Sequence, residues 1–135
     1  MAAVPNARLF AEGGLYGFVG GAVATVLWLA AETAGVTTSV EVPGRGVLHL
    51  DWIAIVTVSV VTGLGAALVA LLVDGRRKAR RIFTGVALTV LALSLAPIVV
   101  QPAGVGLLTR LVLAATHGVV YLAVVPRLAR HLRGR

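Results

Sequence analysis

Three side chains toward the end of the chain have types and spacing that could do chemistry: Arg110, His117 and Tyr121. At about 100° per helical residue they fall within roughly 40° of one another, so a helix through them, with Ala114 alongside, carries one polar stripe. A charge inside a bilayer is costly and needs either a partner or a route to water. Glu32 is the carboxylate nearest in depth to Arg110, with Asp51 second; the competing reading is that Arg110 snorkels to the nearby interface. His117 lies deeper. There a neutral imidazole can bridge helices through Thr25, Thr57, Thr62, Thr89 or Ser94, or it can relay protons, because histidine changes charge near neutral pH. Structural hydrogen bonding is the default of these two.

Other chemistries find little material. No cysteine is present, which removes disulfides, thiolate nucleophiles, iron–sulfur clusters and cysteine-ligated zinc. His49 and Glu41 are two candidate metal ligands without a third. A haem at the depth of His117 lacks a second axial ligand, since His49 and His131 fall outside the apolar stretches and Met1 is the only methionine. Neither a metal nor a cofactor is expected. The glycines recur at helical packing intervals and not in a phosphate-binding loop, and no nucleophile–base pair is evident, so the chain leans away from enzymatic activity.

The elements that must position these residues are four apolar stretches: Gly13 to Ala31, Trp52 to Val73, Ile82 to Val100 and Ala103 to Val125. Each approaches the roughly 20 helical residues that cross a hydrocarbon core. Composition agrees: 59% of residues are hydrophobic, 13% are charged and the mean hydropathy is +0.98, outside the range of soluble domains. The spans use up most of the 135 residues and leave no room for a second core. The expected fold is an all-α membrane protein, one transmembrane domain built as an antiparallel up-down-up-down four-helix bundle. The opening lacks the pattern of a cleaved signal peptide, so the first span is expected to be retained.

Turn chemistry supports that plan. Asp74-Gly75-Arg76-Arg77 joins the second and third spans, Pro97 should bend or terminate the third, and Gln101, Pro102 and Gly104 form the next return. Residues 38–50 alternate apolar and polar types around Pro43 and Gly44, which suits either a short β-hairpin or an irregular loop.

Small residues should mark the helix seams, because close backbone approach supplies much of the attraction between helices in lipid. Gly13, Gly17 and Gly21, followed by Thr25, form a four-residue ladder on the first helix. The second helix offers Ser59, Gly63 and Ala67, and the fourth offers Ala114 and Gly118. Packing within the chain is favoured over homodimerisation, although a homo-oligomer or a larger membrane complex stays open.

Cations fix the expected orientation. Arg8, the run from Arg76 to Arg81, and Arg127, Arg130, Arg133 and Arg135 fall on one side, against Arg45 alone in the opposite loops. The positive-inside rule then places both termini and the middle loop in the cytoplasm. The net charge of +7 suits anionic lipid headgroups. The basic loop is short and carries no interleaved aromatics, so nucleic acid is not an expected partner.

The segments RRKARRIFTGVAL, LSLAPIV and AATHGVVYLAVVPRLAR resemble a family of small four-helix integral membrane proteins of unknown function common in high-GC bacteria. Lys78 is the one lysine among 12 cations, which fits a high-GC coding bias. The resemblance implies a multi-pass protein of the bacterial cytoplasmic membrane and draws attention to Pro97 and His117. It brings no activity, substrate or catalytic residue. Small multidrug exporters carry a glutamate within the first helix, whereas Glu12 and Glu32 bound the span here. The expected role is a small structural, accessory or ligand-binding membrane module; the alternative is an oligomeric transporter or channel subunit whose path the helix-4 stripe lines.

Overall fold

The computed structural model describes residues 6–37, 39–42, 46–49, 51–100 and 105–132. Its first helix, α1 (Asn6–Thr33), begins well ahead of Gly13. The polar opening is compatible with helix: Arg8 Nε donates to Glu12 Oε1 at 3.1 Å, one turn away. The helix stops where Gly35 takes φ +81°, a conformation that suits glycine, and the Val36 N–H donates back to the Ala31 carbonyl at 3.0 Å.

A short antiparallel hairpin follows, β1 (Ser39–Val42) and β2 (Gly46–His49), with Ser39 opposite His49 and Glu41 opposite Val47. Of the two turn readings the hairpin is the one observed. Its turn residues Pro43, Gly44 and Arg45 lie outside the described residues. The second helix, α2 (Trp52–Val73), is capped by Asp51, whose carboxylate accepts the Ala54 N–H at 2.6 Å. Asp51 is thus occupied in starting a helix.

The turn into α3 (Ala79–Val99) uses Gly75 at φ +76° and Lys78 at φ 70°. The Arg76 N–H donates to the Val73 carbonyl at 3.1 Å and the Ala79 N–H to the Arg76 carbonyl at 3.0 Å. Pro97 stands inside the last turn of α3, which ends soon after it at Val99. The last helix, α4 (Leu107–Ala129), starts later than Ala103 and runs through Pro126. The helix thus continues beyond Val125, where the apolar stretch ends. Proline deletes one backbone donor there, but Val124, Val125, Leu128 and Ala129 are all buried and hold the final turns on the core. Gln101, Pro102 and Gly104 of the α3–α4 connection, and Arg133 and Arg135 at the end, lie outside the described residues.

All four helices are long and apolar enough to cross a membrane, which marks a multi-pass membrane protein. Residues along α1 meet α2 in reverse order: Gly13 faces Gly63, and Gly21 faces Val56. The same reversal relates α1 to α4, where Gly20 faces Val120 and Glu12 pairs with His131. Sequence neighbours pack together, α4 returns to α1, and α2 meets α4 across the diagonal, while the backbones of α1 and α3 stay apart. The result is the expected up-down-up-down bundle. One end carries the start of α1, the end of α4 and the α2–α3 turn; the other carries the hairpin.

Packing is uneven. The α1–α2 seam is tight: a Cβ on Gly17 would stand 2.6 Å from the Ser59 carbonyl oxygen, and one on Gly21 would stand 2.9 Å from Ser59 Cβ. A core at the terminal end joins Leu9, Ala70, Phe83, Val124 and Leu128. A smaller one at the hairpin end joins Trp28, Ile98 and Leu113. Outward faces are apolar, as in Val26 and Leu93, each 67% exposed, where a soluble protein would place polar side chains.

Candidate functional site

Between the two cores, α3 stands away from the other helices and leaves a cavity of about 650 Å³. That volume lies within the range of small-molecule sites. Its long walls come from α2, α3 and α4. Trp28 of α1 lines it near the hairpin end and Phe83 of α3 near the terminal end. Small residues create the space: a Cβ on Gly65, one of the lining residues, would meet nothing within 4 Å.

The cavity opens sideways. Val58, Thr62 and Gly65 of α2, and Val86 and Val90 of α3, line it and are also exposed, Val58 at 64% and Val90 at 54%. These residues flank the gap between α2 and α3, where the two helices touch sparsely. In a bilayer that gap faces hydrocarbon.

Polar groups punctuate the apolar lining, and most are committed to their own helices. Ser59 Oγ donates to the Ile55 carbonyl at 2.7 Å, Thr62 Oγ1 to Val58 at 2.8 Å, Ser94 Oγ to Leu91 at 2.7 Å and Thr116 Oγ1 to Leu113 at 2.7 Å. Each hydroxyl has spent its proton and can offer only lone pairs inward. His117 Nδ1 lies 2.7 Å from the Leu113 carbonyl oxygen. A carbonyl only accepts, so Nδ1 carries the proton, and in the neutral ring Nε2 is an acceptor. Tyr121 lines the same wall one turn on, and its hydroxyl makes no hydrogen bond to a described residue. Among the described residues the lining contains no arginine, lysine, aspartate or glutamate.

The polar stripe read from spacing is thereby divided. His117 and Tyr121 face the cavity, together with Thr116, whereas Arg110 turns toward the hairpin end. Arg110 Nη1 donates to the Val99 carbonyl at 3.1 Å and Nε to the Val105 carbonyl at 3.2 Å, clasping the two ends of the α3–α4 connection. Glu32 is exposed, next to the last residue of α1. Gly13, Gly17, Gly21 and Gly63 all lie in the α1–α2 seam. Gly118 does not lie in a seam, since a Cβ there would meet nothing within 4 Å.

Two features escape a reading by spacing. The Glu12 carboxylate meets His131 Nε2 at 2.6 Å, and the Arg127 guanidinium lies 5.1 Å from the Tyr16 ring centroid, so α1 and α4 are strapped together at the terminal end. Trp28 is 2% exposed, yet its indole nitrogen has no hydrogen-bond partner among the described residues. In the sequence Trp28 is simply an indole within an apolar span.

A model described as a family of unknown function (DUF6069) matches residues 5–134. No curated protein and no solved structure matches the chain.

Proposed function

The chain belongs to this family of unknown function, and from that premise we propose that it is a ligand-binding membrane module that takes a lipid-soluble molecule from the bilayer into the cavity between α2, α3 and α4. The observation that carries this reading is the lateral opening at Val58, Thr62, Val86 and Val90, which joins an apolar chamber of about 650 Å³ to the lipid-facing surface. Charged ligands are disfavoured by the same geometry, since no charged side chain among the described residues lines the chamber.

The proposed setting is the cytoplasmic membrane of a high-GC bacterium, with both termini and the α2–α3 turn inside. Support comes from the exposed cations Arg8, Arg76, Arg77, Lys78, Arg80 and Arg81 at the terminal end, which also suit anionic headgroups. The single bundle is the proposed working unit, because its glycine ladder is consumed within the chain. A transport path along α4 is the weaker reading: Arg110, its only charge within the apolar run, donates to backbone carbonyls at one end.

Equilibrium binding of tritiated heptadecane in mild-detergent micelles tests the proposal. Saturable binding near one per chain is expected for the wild type and should be lost in Gly65→Phe, which fills the chamber from a position with free space. Identical, non-saturating uptake by both proteins would overturn it.

A further inference from the structure

His117 stands midway along α4, on the face that lines the cavity from Leu113 to Val125 at steps of three and four residues. Its Nδ1–H is committed to the Leu113 carbonyl of its own helix, so the ring's acceptor is Nε2, on the side away from the backbone. Among the described residues the ring bridges to no other helix, and no packing duty explains a polar side chain at this costly depth. Nε2 has no hydrogen-bond partner there either. The one side-chain nitrogen or oxygen both buried and unpartnered is Trp28 Nε1, so His117 Nε2 is accessible and not sealed in packing. The same holds for the Tyr121 hydroxyl, one turn on along the same wall. An open acceptor and an open donor thus hang from positions roughly 5–6 Å apart on one helix face. The four other lining hydroxyls donate to carbonyls of their own helices and add acceptors only. A wall so equipped is matched by a ligand that brings a proton of its own.

We propose that the occupant is a neutral lipid-soluble alcohol whose hydroxyl donates to His117 Nε2 and accepts from the Tyr121 hydroxyl. This rests on the cavity being a ligand site, as proposed above. A ketone or ester brings no proton and would leave Nε2 unused. An ammonium would bring one, but no carboxylate among the described residues lines the chamber to hold its charge. A hydroxyl at this depth in hydrocarbon gives up its hydrogen bonds to water, and the imidazole returns one of them, so the site favours the molecule that carries it. Its place along the ligand follows from helical rise. Leu113, in the hairpin-end core, lies about 6 Å to one side of His117, and Val125, in the terminal-end core, about 12 Å to the other. The hydroxyl therefore stands off-centre, with a short apolar arm toward the hairpin end and a long one toward Phe83.

The test compares 5-heptadecanol, 5-heptadecanone and heptadecane for binding to wild type, His117→Phe and Tyr121→Phe in mild-detergent micelles. The alcohol and the ketone differ only in the proton that Nε2 would accept. Wild type should bind the alcohol about tenfold more tightly than the ketone, the scale of one hydrogen bond to a buried group. His117→Phe should bind the two equally and hold heptadecane as wild type does. Tyr121→Phe should weaken both oxygenated probes and keep the gap between them. A second measurement does not depend on how His117→Phe folds. In a variant whose sole histidine is His117 (His49→Gln and His131→Gln), labelled with nitrogen-15 histidine, the acceptor-nitrogen resonance should move on adding the alcohol and stay in place on adding the ketone. Equal binding of alcohol and ketone by wild type would overturn the hydroxyl assignment while leaving the cavity reading intact. A gap that survives in His117→Phe, or a resonance that the alcohol leaves unmoved, would do the same. Failure of heptadecane to bind wild type at all would instead remove the cavity reading.

Discussion

Gly13 and Gly63 meet backbone to backbone: a Cβ on Gly13 would stand 2.5 Å from the Gly63 carbonyl oxygen. No side chain fits there, and the seam continues through Gly17 and Gly21 against Ser59. Gly17→Ala should therefore destabilise the bundle by about 1–3 kcal/mol, the usual cost of overpacking. Gly65→Ala, placed on the same helix as Gly63 but in open space, should be neutral or stabilising by up to about 1 kcal/mol through helix propensity. Unfolding in mixed micelles by increasing dodecyl sulfate measures both. Equal losses at the two positions would remove the seam.

Arg110 is a clasp in this structure. Replacing it by alanine deletes the hydrogen bonds to Val99 and Val105, each a charge-assisted contact of roughly 1.5–3 kcal/mol in favourable settings. The α3–α4 connection should then exchange its amide hydrogens faster, while heptadecane binding changes less than twofold. Lost binding with unchanged exchange would assign Arg110 to the ligand site.

Glu12 and His131 are each about one-fifth to one-quarter exposed, so their pair is screened and worth at most about 1 kcal/mol. A double-mutant cycle of Glu12→Gln and His131→Ala in the same unfolding assay should return a positive coupling of that size. Strict additivity would mean that the strap carries no stability.

The absence of cysteine makes topology directly measurable. In intact cells of an expression host, single cysteines at Arg77 and Arg130 should be shielded from a membrane-impermeant maleimide, and one at Val47 should react. The opposite pattern would invert the proposed orientation.

The bundle was legible in the sequence because its determinants are local. Twenty-residue apolar runs, a glycine at Gly75 and the four-residue ladder from Gly13 to Gly21 each act within one or two turns. Ser59, Gly63 and Ala67 stand out as small residues of the second helix for the same reason, but that they, and not Ala114 and Gly118, meet the ladder comes from the packing. Helix ends were less so: α1 extends to Asn6, and α4 passes Pro126, because burial of Val124 to Ala129 outweighs one missing donor. The site was legible only in part. Spacing put Arg110 with His117 and Tyr121, but a long flexible side chain chooses its own end of the membrane, and Arg110 reached the turn carbonyls. Trp28 and the cavity depend on how far α3 stands from its neighbours, a property of the whole packing that no periodicity records.

The claim that a bilayer-soluble molecule enters between α2 and α3 is tested most directly by photolabelling. A hexadecyl chain bearing a diazirine, dissolved in lipid vesicles that contain the protein, is activated by light and its attachment sites are mapped by mass spectrometry. The account predicts attachment inside the bundle, at Ser94, Thr116, His117 or Tyr121, and its suppression in Gly65→Phe. Attachment confined to outward positions such as Val26, Val61 and Leu93, unchanged by that substitution, would contradict it.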